Sequence, residues 1–91
     1  KITLSQLEFT TTGVTVDMST LTWTAGGTGS VEGRYAYGDT DSPTNWSAWM
    51  TLANLQLETD PVCKYFRLEP RLVSDGTQTA TVDAVSVDHD G

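Results

Sequence analysis

The chain has 91 residues, enough for one domain and too few for two, and at this size only about 60–65% of the unfolded surface can be buried, so one thin core is all it can build. Its net charge of −7, from twelve acidic and five basic residues, repels phosphate backbones and anionic lipid, which argues against nucleic-acid and membrane-surface partners. No apolar run nears the roughly 20 residues that a membrane-spanning helix needs, so membrane insertion is not expected either.

Sixteen Thr and eight Val against one Ile and six Ala favour strands, because β-branched side chains suit a pleated surface better than a helix. Three Trp, three Tyr and two Phe supply bulky core candidates. No Met opens the chain and no signal-like segment precedes Lys1. Residues 1–91 are therefore expected to form a single domain cut from something longer.

In chain order, Ile2 and Leu4 share one parity while Leu7 and Phe9 share the other, which predicts a bulge or a change of sheet at Ser5-Gln6. Val14, Val16 and Met18 alternate, Ser19-Thr20 is a candidate turn, and Leu21, Trp23 and Ala25 alternate again with Thr20, Thr22 and Thr24 facing outward. Gly26 through Ser30 reads as a flexible loop. Val31, Gly33, Tyr35 and Tyr37 form the next inward set, opposite Glu32, Arg34 and Ala36, and Gly38 through Asn45 is a turn by composition.

Residues 46–57 carry two readings. Trp46, Trp49, Met50, Ala53 and Leu57 fit a helical stripe that Thr44 or Asn45 could cap, but Leu52 and Leu55 fall off that stripe, so strands are favoured. Asp60-Pro61 then leads into Lys64 through Leu72. With Thr79 through Val87, that stretch alternates apolar and polar residues on either side of Ser74-Asp75-Gly76-Thr77, as a hairpin with one buried face does. The expected burial puts Phe66, Leu68, Leu72, Val85 and Val87 beneath an opposing layer carrying Trp23. About seven short strands with turn signals every eight to twelve residues predict an all-β antiparallel sandwich.

Residues with chemical potential are few. His89 is the only histidine and lies at the chain end, where it reads as a frayed or solvated residue. Cys63 is the only cysteine and reads as a small apolar residue at a strand start. These two make neither a zinc set nor a triad, so no catalytic residue, metal site or cofactor is expected. Asp39-Thr40-Asp41 and Asp88-His89-Asp90-Gly91 read as solvated turns, with calcium the ion their oxygens would suit. Trp46 and Trp49 are three apart, so on a straight strand one enters the core and the other stays partly exposed. Trp49 is thus the candidate for stacking on a sugar ring or a partner, or for packing under a neighbouring loop or domain.

Several of these segments resemble a known family. Leu21-Thr22-Trp23, Tyr35-Ala36-Tyr37 and Tyr65-Phe66-Arg67-Leu68 follow the strand order of fibronectin type III (immunoglobulin-like) modules. Trp46-Ser47-Ala48-Trp49, then Lys64 through Leu72, then Thr79, Asp83, Val85 and Val87 are similar to the fibronectin-like sandwich of bacteriophage tail-tip and host-specificity proteins. The likeness covers roughly residues 46–88. Glu69 and Pro70 stand where that strand carries Arg and Val, and Pro70 demands an unpaired side or a bulge. The resemblance implies a non-catalytic virion module of a tail tip, baseplate or fibre, whose partners are other tail subunits or adjacent domains. Its alternative is a carbohydrate-binding or adhesive module of a bacterial extracellular or host-recognition protein, taking a cell-surface glycan.

Overall fold

A computed structural model of the chain describes residues 6–27, 30–73 and 80–91. The parity change at Ser5-Gln6, the centre of the loop at Thr28-Gly29, the turn at Ser74 through Thr77 and the burial of Leu72 lie outside the described residues. Six strands, β1 (Leu7–Glu8), β2 (Val14–Gly27), β3 (Ser30–Gly38), β4 (Val62–Cys63), β5 (Tyr65–Val73) and β6 (Ala80–His89), accompany one short helix, α1 (Leu52–Leu55). They form two three-stranded antiparallel sheets, β1-β5-β3 and β4-β2-β6. The all-β, sandwich-like architecture is as expected, with six strands described where about seven were expected.

The core lies between the sheets. Val14, Val16, Met18 and Leu21 come from β2, Cys63 from β4, Tyr35 from β3 and Phe66 and Leu68 from β5, with Phe9 and Leu55 completing it. Trp23, Met50, Leu52, Val85 and Val87 pack against this set. Gly33 makes the close approach of the layers possible: a Cβ there would lie 3.1 Å from both Leu55 Cδ1 and Trp23 Cη2.

The late hairpin does not form. β5 pairs with β3 and β1, whereas β6 pairs with β2, so the two strands lie in opposite sheets. Val85 and Val87 therefore share a sheet with Trp23, while Phe66 and Leu68 lie in the other layer. Period-two alternation tells which face of a strand is buried and says nothing of its neighbour. Six residues can span roughly 20 Å, enough to cross between sheets about 10 Å apart as well as to close a loop within one.

The turn expected at Ser19-Thr20 is a bulge inside one continuous strand. Between the pairs Asp17↔Asp88 and Thr22↔Ser86, β2 holds extra residues. Asp17 Oδ1 accepts from the Ser19 amide (3.1 Å) and hydroxyl (2.6 Å), and the Thr20 hydroxyl donates to the Asp17 carbonyl (2.7 Å). The extra length changes parity, which is how even-numbered Met18 and odd-numbered Leu21 are both fully buried. β2 also runs on through Gly26 and Gly27, residues expected in the following loop.

Pro70 needs no bulge against β3. The β3–β5 register is unbroken from Ser30↔Val73 to Gly38↔Tyr65, so there is no bulge. Gly33, opposite Pro70, directs both its backbone groups away from β5, donating to Met50 O (2.7 Å) and accepting from Met50 N (2.8 Å). The missing N–H of Pro70 thus points away from β3, toward the edge of β5 on which, among the described residues, β1 pairs with Tyr65 and Phe66.

Residues 46–57 are neither a full helix nor two strands. Up to Met50 the chain runs along the outer edge of β3, with Ser47 N donating to Tyr35 O (2.8 Å) and Asn45 Oδ1 accepting from Tyr37 N (3.2 Å). Four residues of helix follow, capped by Thr51, whose hydroxyl accepts from Asn54 N (3.3 Å), and not by Thr44 or Asn45. No described helix is long and apolar enough to cross a membrane.

Candidate interaction site on the outer face of the β3–β5 sheet

Alternation along the paired strands turns Glu32 and Arg34 of β3, and Arg67, Glu69 and Arg71 of β5, away from the core. Arg34 lies directly across from Glu69, with Arg67 and Arg71 two residues to either side of it. The Arg34 guanidinium donates to Glu69 Oε1 from Nε (2.8 Å) and from Nη2 (2.7 Å). Arg71 Nη2 lies 2.9 Å from Glu32 Oε1, and Arg67 Nη1 donates to the Pro43 carbonyl at 2.8 Å.

The two tryptophans enter from the edge segment. Ser47 stands across from Tyr35 and Met50 from Gly33, so three steps on the edge match two on β3. That extra residue cancels the parity difference between Trp46 and Trp49. Neither indole enters the core, against the expectation that one would: both are half-buried on the outer face. Arg34 Cζ lies 4.5 Å from the Trp46 ring centroid and 4.7 Å from that of Trp49, Arg67 Cζ lies 4.6 Å from Trp46, and Arg71 Cζ lies 4.3 Å from Trp49. Along the strands the order is Arg67, Trp46, Arg34, Trp49, Arg71. Each indole has two guanidinium carbons within 4.7 Å of its ring centroid, a distance at which the cation and the ring attract.

No family model, curated protein or solved structure matches this chain. The site must therefore be read from its own chemistry. Guanidinium–indole contacts together with the Arg34–Glu69 and Arg71–Glu32 pairs and the Arg67–Pro43 bond tie these side chains to one another, which favours a fixed, partly desolvated face.

Of the site residues expected from sequence, Trp49 lies in this ladder. The arginines were not singled out beforehand, although Arg67, Glu69 and Arg71 alternate on one outward face of β5. What could not be seen was the register that brings Arg34 between the tryptophans.

The other candidates are scattered. Cys63 is fully buried, and burial, then the negative charge of Asp39, pushes its thiol up to about 11. Asp41 Oδ1 accepts from Gln6 Nε2 (2.8 Å), and this bond followed by those of Ser42 holds its carboxyl below the usual value. Gln6 Oε1 in turn accepts from Ser42 N (2.9 Å), pinning a residue whose φ of 55° is left-handed. His89 is not frayed: it pairs with Val16 in β6 and its ring lies 4.6 Å from that of Phe9, while its side chain stays exposed. Asp90 Oδ1 accepts from Thr15 N (2.8 Å). Among the described residues no three His, Cys, Asp or Glu side chains gather closely enough to hold a metal ion.

Proposed function

We propose that this chain is a non-catalytic packing module, a fibronectin type III-like sandwich of a bacteriophage virion that spaces or decorates tail-tip, baseplate or fibre subunits. The observation that carries the packing role is the ladder: the outward tryptophans have guanidiniums over their rings, so their faces serve the module's own rigidity. An open sugar platform needs an uncovered aromatic face. An elongated body of 43 × 22 × 21 Å also suits a spacer.

The virion assignment rests on the resemblance of residues 46–88, and the two-sheet architecture agrees with it at the level of class. Strand order departs from the immunoglobulin-type arrangement, in which the last two strands share a sheet, because β5 and β6 lie in different ones. Fold class alone does not carry function.

Titration with a glycan panel, followed by tryptophan fluorescence, tests the packing role: no saturable quenching is expected. Saturable quenching lost in Trp49→Ala would replace this reading with the carbohydrate-binding one. Mass spectrometry of purified phage particles tests the location. Peptides of this chain are expected in the particle, and their presence only among secreted bacterial proteins would sink the virion assignment.

A further inference from the structure

The module's two outer faces differ in chemistry. All three arginines of the chain project from the β3–β5 face. Each guanidinium has five donors, and the bonds above use two on Arg34 and one each on Arg67 and Arg71. Among the described residues Arg67 has no carboxylate within ion-pair distance.

Among the described residues the outer face of the β2–β6 sheet carries no Arg or Lys. It presents Thr15, Thr22, Thr24, Ser86, Asp17 and Asp88, and among the described residues none of its carboxylates is ion-paired. Asp17 stands directly opposite Asp88 in the ladder, a placement of like charges that disfavours the pair. The Asp88 side chain makes no hydrogen bond to any described residue.

We propose that the guanidinium–indole face of one copy docks on the aspartate and threonine face of a second copy, so that copies stack front to back. The chain's arginines all lie on the far side of the sandwich from these aspartates, and a second copy brings them round. The face runs along the nine paired positions of β3 and β5, about 30 Å of strand. Half-exposed tryptophan and arginine are the residues that anchor such contacts. Because the two faces are unlike, the contact is heterologous and repeats from copy to copy instead of closing as a two-fold dimer. The proposal rests on the packing role and is independent of the virion assignment.

Net charge of −7 repels copies from one another, so salt dependence alone does not discriminate, and the decisive experiment exchanges charges. Sedimentation velocity of the intact chain is expected to show a coefficient that rises with concentration. Asp88→Lys alone and Arg71→Glu alone are each expected to sediment as monomers, and their equimolar mixture to recover the association. A wild-type monomer at every concentration, a single reversal without effect, or a mixture that stays monomeric would overturn the proposal. Near-UV circular dichroism checks that each variant folds. If Arg71→Glu does not, carbodiimide cross-linking of Arg71→Lys, mixing isotopically light and heavy copies, replaces it. Links from the introduced lysine to Asp17 or Asp88 of another copy support the stack, and links confined to one copy refute it. The glycan titration can fail without affecting this result, and a monomeric chain would leave the glycan result standing.

Discussion

Arg34 holds its guanidinium 4.7 Å from the Trp49 ring centroid while its Nη2 lies 2.7 Å from Glu69, so one side chain ties the edge segment, β3 and β5 together. Cation–π contacts contribute about 0.5–1 kcal/mol each at exposed sites, and a half-exposed ion pair about 0.2–1. Arg34→Ala is therefore expected to destabilise the fold by about 2 kcal/mol, read as a lower urea midpoint. Arg34→Lys keeps the charge and loses the planar fork, and should recover less than half of that. A double-mutant cycle of Arg34→Ala with Trp49→Ala should give a coupling of about 0.5–1 kcal/mol; additive single effects would mean that the stack contributes nothing.

Gly33→Ala introduces a methyl group 3.1 Å from Leu55 Cδ1 and Trp23 Cη2. Overpacking of this kind costs about 1–3 kcal/mol, because the neighbours must move off their preferred positions. The expected outcome is a loss of about 1–2 kcal/mol in urea unfolding, with altered Trp23 fluorescence. Unchanged stability would show that the layers are further apart at this point than the structure has them.

Cys63 should be inert in the native protein. Its thiol is fully buried and pushed up to about 11, first by burial and then by Asp39, so the reactive thiolate is scarce at neutral pH. An aromatic disulfide reagent is expected to leave it untouched in buffer and to modify it fully in denaturant. Rapid reaction under native conditions would contradict the packing around β4.

Tyr35 gives an alkaline signature. Its hydroxyl donates to Glu58 Oε1 at 3.1 Å, and its pKa is raised from 10.0 to about 12, by burial first and then by Glu58 and Tyr37. A raised value in the folded state means that the neutral form is favoured there. Its contribution to stability is complete below about pH 10 and is lost as pH climbs through about 12. Urea unfolding from about pH 9 to about pH 11 should show stability falling in the wild type and falling less steeply in Tyr35→Phe. Equal slopes would show that the phenol is solvated.

Much of the architecture was legible because inward and outward residues alternate. Phe66 and Leu68 were assigned to the core from that pattern, and each is 2% exposed. Pro70 was assigned an unpaired side or a bulge because it lacks a donor, and the unbroken register shows no bulge against β3. What stayed hidden was pairing. The bulge after Asp17 depends on a carboxylate folding back on its own strand, and Ser19-Thr20 reads equally well as a turn. The extra residue between Ser47 and Met50 leaves no mark in the residue types, yet it alone turns Trp49 to the same side as Trp46. The arginine ladder depends on which strands become neighbours, a long-range outcome that no local window contains.

The placement of β6 beside β2 has a consequence for synthesis. The longest strand, residues 14–27, waits for residues 80–89 to leave the ribosome before most of its ladder can close. Until then its edge is open to any other nascent strand, and closing so wide a span of chain is slow. Closure of the β4-β2-β6 sheet thus cannot precede the emergence of residues 80–89.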